Sequence, residues 1–320
     1  MKLDRFAKYA WGVLAYNIGV ILWGAYVRAT GSGAGCGSHW PLCNGEVIPR
    51  SAQVETLIEF THRITSGAAL LLVVGLFIWA FRAFPRGHLN RLGGALSLFF
   101  IITESAVGAG LVLLELVGYN ESLSRAIWMA AHLINTFLLL ASLTLTAWWA
   151  SGGRAIRPDW SRPFIWLLVL GLLGVIVLGV SGALTALGDT LFPASSLQEG
   201  IRQDFSPTAH FLVRLRLLHP TIAIVVGVFL ILLAGLANIR PGDRYSKIFA
   251  RLLALSIAVQ VGAGLINVAL LAPVWMQIVH LLLADLVWII LILYAAGMLA
   301  EKSPIELRRT AAEKQASTAG

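Results

Sequence analysis

Eight apolar stretches divide this chain, at about 9–27, 59–81, 92–116, 125–150, 163–188, 209–239, 248–271 and 275–300. Crossing the hydrocarbon layer of a bilayer takes about 20 helical residues, and each stretch is close to that length or longer. Charged residues are too scarce to clothe a soluble surface, at 12% of the chain against about 25% in soluble domains. The predicted fold class is an all-α integral membrane protein, with eight transmembrane helices arranged as two pseudo-symmetric four-helix bundles.

The formal net charge of +8 raises the question of nucleic acid, and position answers it. Of the 24 Lys and Arg residues, 17 fall in 1–8, 82–91, 154–162, 240–251 and 302–314. These segments share one side of the membrane if the stretches alternate in direction. The other side carries Arg28, Arg50, Arg63, Arg125, Arg202, Arg214 and Arg216. That bias is the positive-inside pattern, so both termini are expected in the cytoplasm. The basic residues then serve topology and contact with membrane lipid, and nucleic acid is not an expected partner. No soluble presequence precedes the first stretch, and the expected location is a bacterial plasma membrane.

Internal matches point to a duplication. VGAGL occurs at 107–111 and again at 261–265. Gly19-Val20-Ile21 matches Gly174-Val175-Ile176, and Gly24, Thr30 and Gly33 match Gly179, Thr185 and Gly188. Small residues recur by chance in membrane helices, but near-equal offsets in corresponding segments support a parallel repeat. The expected division is an N-terminal half at 1–150, a cytoplasmic linker at 151–162, a C-terminal half at 163–300 and a cytoplasmic tail at 301–320. An outer loop at 28–58 belongs to the first half.

That loop holds both cysteines, Cys36 and Cys43. They are either unrelated thiols or a disulfide, and an oxidising compartment favours the disulfide. Seven histidines are present. His62, His132, His219 and His280 fall in the second, fourth, sixth and eighth stretches, each within about three turns of the outer end. A lone membrane histidine more often bonds a neighbouring helix. Four at similar depth, two per half, instead favour two haem irons held between facing imidazoles. Arg63, Arg125, Arg214 and Arg216 are candidate contacts for haem propionates, with snorkelling to lipid as the alternative. Glu59 lies three residues before His62, on the same helix face. It is either a buried carboxylate working at the porphyrin edge or a helix-start charge favoured by the macrodipole. Glu104, Glu115 and Asp285 are costly in a membrane and are expected to face protein or water.

On VRATGSG at 27–33, the cysteines around WPLC and EFTHR at 59–63, the chain resembles the haem A synthase family over nearly its whole length. The resemblance implies oxidation of a ring methyl of haem O to the formyl of haem A, for haem-copper terminal oxidases. It implies His62 and His132 as ligands of the substrate haem, His219 and His280 as ligands of a haem b cofactor, and Glu59 as the catalytic carboxylate. Cys36 and Cys43 match a loop pair that shields the substrate or relays electrons. Implied partners are haem O synthase and an electron acceptor, with homo-oligomerisation open. Between the cysteines, GSHW stands where many members carry an acidic residue, so His39 alters the charge above the site. Two rival readings are a non-catalytic di-haem cytochrome b and a transporter that uses His, Glu and Asp as a proton relay.

Overall fold

The computed structural model describes residues 3–50, 53–239 and 244–300. The tail at 301–320 lies outside the described residues. The chain is all-α, and eight of its helices are long and apolar enough to cross a membrane. They are α1 (Arg5–Ala29), α2 (Val54–Ala83), α3 (Leu89–Leu113), α4 (Leu123–Ala150), α5 (Pro163–Leu191), α7 (Phe211–Ile239), α8 (Arg244–Ala269) and α9 (Val274–Met298). A short helix, α6 (Leu197–Asp204), lies between α5 and α7.

Local sequence explains where several helices begin. Asp4 accepts from the Ala7 N–H at 2.7 Å and caps α1, and Ser122 accepts from Arg125 N to cap α4. Each satisfies an amide that the first helical turn leaves open. Pro163 opens α5, where its missing N–H costs nothing. Pro220 sits inside α7 directly after His219, which removes the hydrogen bond to the Arg216 carbonyl one turn back.

Two boundaries differ from the sequence expectation. α2 begins at Val54 rather than near Glu59, so the first loop is shorter and Glu59 sits in the second turn. The helix-start reading of Glu59 therefore fails. α3 ends at Leu113, which leaves Glu115 exposed in a turn with φ of 54° and outside the apolar span.

α1, α2, α3 and α4 pack in a ring, as do α5, α7, α8 and α9. α1 and α4 form the first half's side of the seam and meet α5 and α9. Trp288 on α9 stacks on Phe137 of α4 at 4.9 Å and donates its indole N–H to the Phe137 carbonyl at 2.7 Å. Asp285, one turn earlier on α9, is fully buried with both carboxylate oxygens unpartnered among the described residues. One apolar core runs through both rings, from Phe6 and Val73 to Leu253 and Tyr294. The segment 151–162 returns along the end of α9, where Arg157 N donates to the Leu299 carbonyl at 3.0 Å.

Candidate functional site

The histidines sit near the N-terminal ends of four helices, all at the cysteine-loop end of the bundle. His62 is eight residues after Val54, His132 nine after Leu123, His219 eight after Phe211 and His280 six after Val274. At 1.5 Å per residue that is a depth of about 9 to 14 Å. His62 and His132 are near enough to interact electrostatically, and so are His219 and His280. The four thus fall into one neighbouring pair within each half.

Each imidazole rests on a glycine of the preceding long helix. A Cβ would lie 3.0 Å from His62 Cε1 at Gly24, 3.9 Å from His132 at Gly108, 2.9 Å from His219 at Gly182 and 3.1 Å from His280 at Gly264. A side chain at three of these positions would push the ring aside. Sequence matching missed this companion pattern because it aligned other glycines. Gly262, the partner of Gly108 in the VGAGL match, touches nothing within 4 Å, and Gly179, matched to Gly24, packs on Phe137 across the seam. Glycine at histidine depth in each preceding helix was the usable signal.

Polar neighbours fix three of the rings. Glu104 Oε1 lies 3.3 Å from His132 Nδ1. That carboxylate is itself held by Thr136 Oγ1 and by Asn135 Nδ2 at 2.6 Å. A carboxylate on one ring nitrogen orients the other for a metal. Ser181 Oγ donates to the Leu178 carbonyl at 2.8 Å and therefore accepts from His219 Nδ1 at 3.0 Å, leaving His219 Nε2 bare. Gln260 Nε2 is 3.4 Å from His280 Nε2 and donates to the His280 carbonyl at 3.2 Å.

Glu59 is buried beneath the cysteine loop, with three donors converging on it. The Cys36 N–H donates to Oε2 at 2.8 Å, and Arg63 donates to Oε1 through Nε at 3.2 Å and Nη2 at 2.6 Å. The loop reaches it because Gly35 packs directly on the start of α2. A Cβ there would lie 2.5 Å from the Glu55 carbonyl carbon. Thr56 Oγ1 also donates to the Gly35 carbonyl at 2.7 Å. Cys36 and Cys43 form a disulfide, and both are fully buried. Arg63 Nη1 donates to the carbonyls of His39 at 2.6 Å and Leu42 at 2.5 Å, so one guanidinium fastens the loop to Glu59. His39 thus contributes its backbone here.

The candidate propionate contacts divide. Arg63 spends its donors on Glu59 and the loop. Exposed Arg214 donates to the Pro207 carbonyl at 2.6 Å. Arg216 is paired with Asp189 at 2.8 Å and Asp204 at 3.6 Å, and donates to the Gly188 carbonyl at 2.8 Å. Burial pushes the Asp204 carboxyl above its usual range, against the pull of Arg216. Two of the four keep a buried Nε without a hydrogen-bond partner, Arg125 and Arg216, but that of Arg216 lies 2.8 Å from the Asp189 carboxylate whereas Arg125 has no such counter-charge among the described residues. Arg28, the second residue of the VRATGSG motif and counted in the sequence reading only as an outer-side charge, keeps an unpartnered buried N–H at Nη1.

The donor set suits haem. Among the described residues no group of three or more His, Cys, Asp or Glu side chains could hold a bare metal ion. Haem iron asks for only two axial imidazoles. Buried Nδ1 atoms of His62 and His280 lack a hydrogen-bond partner among the described residues, which leaves each ring a nitrogen to offer an iron.

Comparison with known proteins gives the family. The family model COX15-CtaA, described as cytochrome oxidase assembly protein, matches residues 7–292. The chain belongs to the COX15-CtaA family. Among its relatives, a Thermus thermophilus protein named Protoheme IX farnesyltransferase is 56% identical over 297 residues, covering 92% of this chain and 49% of that protein. Heme A synthase of Exiguobacterium sibiricum is 36% identical over 162 residues, 50% of this chain and 53% of that protein. Heme A synthase of Halalkalibacterium halodurans is 45% identical over 93 residues, 29% of this chain and 31% of that protein. The chain spans about half the length, or less, of these relatives.

Proposed function

We propose that this chain is a haem A synthase of a bacterial plasma membrane, oxidising a ring methyl of haem O to a formyl group. One observation carries the reading: a buried carboxylate, Glu59, is locked one helical turn from His62 by Arg63 and the Cys36 amide. An electron carrier has no use for such a group, whereas an enzyme working at a porphyrin edge does. The Heme A synthase relatives support the same assignment.

In this reading His62 and His132 hold the substrate haem, and Glu104 and Gly108 set the His132 ring. Removing electrons from the methyl carbon builds positive charge there. A fixed anion stabilises that charge without reorganising at the moment of reaction. Three donors already occupy the Glu59 oxygens, which suits it to electrostatic stabilisation more than to taking up a proton. The disulfide loop covers Glu59 and restricts solvent at the reacting edge without excluding it, since conversion of the methyl to a formyl consumes one water, releases four protons and passes four electrons to the acceptor. His219 and His280 would hold haem b, which would supply a one-electron centre. Haem O synthase as the source of substrate and a separate electron acceptor complete the proposed setting.

The deciding experiment is haem extraction with mass analysis of the purified protein, alone and as Glu59→Ala. The unaltered protein should yield haem A, and the variant should retain haem O or its hydroxylated form. A variant that still yields haem A overturns the reading, and one that keeps electron transfer at full rate supports the cytochrome alternative. A second reading, prenyl transfer, has one finding behind it: the name of the Thermus relative. That protein is about twice as long as the stretch matched here, and the COX15-CtaA match covers this stretch. Supplying protohaem and farnesyl diphosphate separates the two readings, since a prenylated product would favour transfer.

A further inference from the structure

The ends of α1 and α4 bring two guanidinium groups into the seam between the halves. Arg28, in the last turn of α1, donates Nη2 to Gln277 Oε1 at 3.1 Å, while its Nη1 is buried without a partner. Arg125 is 4% exposed. It donates Nη1 to the carbonyls of Gly118 at 2.7 Å and Asn120 at 2.8 Å, leaving Nε buried and unpartnered. The turn that Arg125 grips packs on the turn after Arg28. A Cβ at Gly31 would lie 3.4 Å from the Tyr119 hydroxyl, and one at Gly33 would lie 3.4 Å from Val117 Cβ. The two cations are near enough to repel.

Nearby acids do not balance them. Asp189, which acts on Arg28, is already in contact with Arg216 at 2.8 Å, and Asp204 faces Arg216 as well. Three guanidinium groups, Arg125 buried and Arg28 and Arg216 half-buried, thus stand beside two carboxylates. A buried charge without a counter-charge is costly, so the cluster lacks an anion.

Its place in the fold says which anion. Gln277, bonded to Arg28, lies one turn before His280 on α9, and Arg216 lies one turn before His219 on α7. Gln277 and Arg216 therefore lie about 4.5 Å along their helices toward the cysteine-loop end from the second-half histidines, and Arg28 reaches the first of these two residues. We propose that Arg28 and Arg125, both from the first half, bind a ring carboxylate of the tetrapyrrole ligated by the second half. This rests on reading His219 and His280 as haem ligands. The site for the second haem is then completed across the seam, and Arg28 is an anchoring residue that no ligand list from the second half would contain.

The test titrates the purified full chain, stripped of haem, with ferric protohaem and with its dimethyl ester, following the Soret band. A His62→Ala background reports the second-half site alone. In that background His219→Ala must abolish the band. If it does not, the ligand assignment has failed, not the anchor. A hydrogen-bonded charge pair of ordinary strength corresponds to about a tenfold change in affinity. The ester should bind about tenfold more weakly than haem. Arg28→Leu should weaken haem by a similar factor and leave the ester unchanged, with Arg28→Lys falling between. Equal binding of haem and ester overturns the proposal and points instead to an anion of other origin, such as a lipid phosphate. Equal loss of both ligands in Arg28→Leu overturns it in favour of a structural role. The ester comparison needs no change at Arg28, so a variant that misfolds leaves the test decisive.

Discussion

Around His62 and His132 the first half places Glu59 and Glu104, while around His219 and His280 the second half places Arg216, Ser181 and Gln260. The positions correspond. Glu59 and Arg216 each precede a histidine by three residues, and Glu104 and Gln260 each precede a histidine-bearing glycine by four. The scaffold is thus repeated, and the charge beside it is replaced. An anionic surround favours electron-poor states and developing positive charge. A neutral or cationic surround favours reduced states, as a resident carrier requires. Under the proposed function, that difference separates a reacting site from a supporting one within one architecture.

Exchanging or erasing those charges tests the contrast. The largest effect should come from Glu59→Ala, lowering haem O conversion by about two to three orders of magnitude, as loss of a preorganised electrostatic group does. Arg216→Gln should leave conversion per bound haem b nearly unchanged while lowering haem content. Comparable loss of turnover in both, measured as product per haem, would erase the distinction between the halves. Next, Arg63→Leu leaves Glu59 buried without its cation, which costs about 3 to 5 kcal/mol, and thermal unfolding should register it. The matching first-half charge, Glu104, offers a subtler probe. Glu104→Gln should raise the potential of the haem held by His132, and Gln260→Glu should lower that of its counterpart, each on the order of 60 mV. Redox titration of each Soret component reads both. The smallest effect is steric. Gly24→Ala crowds His62 and should cost about 1 to 3 kcal/mol, whereas Gly19→Ala, with nothing within 4 Å, should be silent in a heat-inactivation assay.

How much of this could be read in the letters depends on the range of the signal. Apolar length marks a membrane helix locally, so all eight spans were legible, and one histidine per even stretch gave the pairs. Helix starts were less so. α2 begins five residues before Glu59, and its first turn docks on Gly35 through Glu55 and Thr56, a contact made across the loop. The glycine companions were hidden because identity matching aligned Gly108 with Gly262, while packing makes Gly264 its equivalent. Arg63 reads as a propionate ligand only while the loop above it is unknown. Arg28 and Gln277 are 249 residues apart, and nothing in either neighbourhood announces the other.

The guanidinium of Arg63 works as a latch with two bolts, one shot into the roof at His39 and Leu42 and one into the acid beneath. Lifting the roof to admit a bulky guest would draw both. Under the proposed function, the acid is held in line only while both bolts are shot, which ties its alignment to the closed roof.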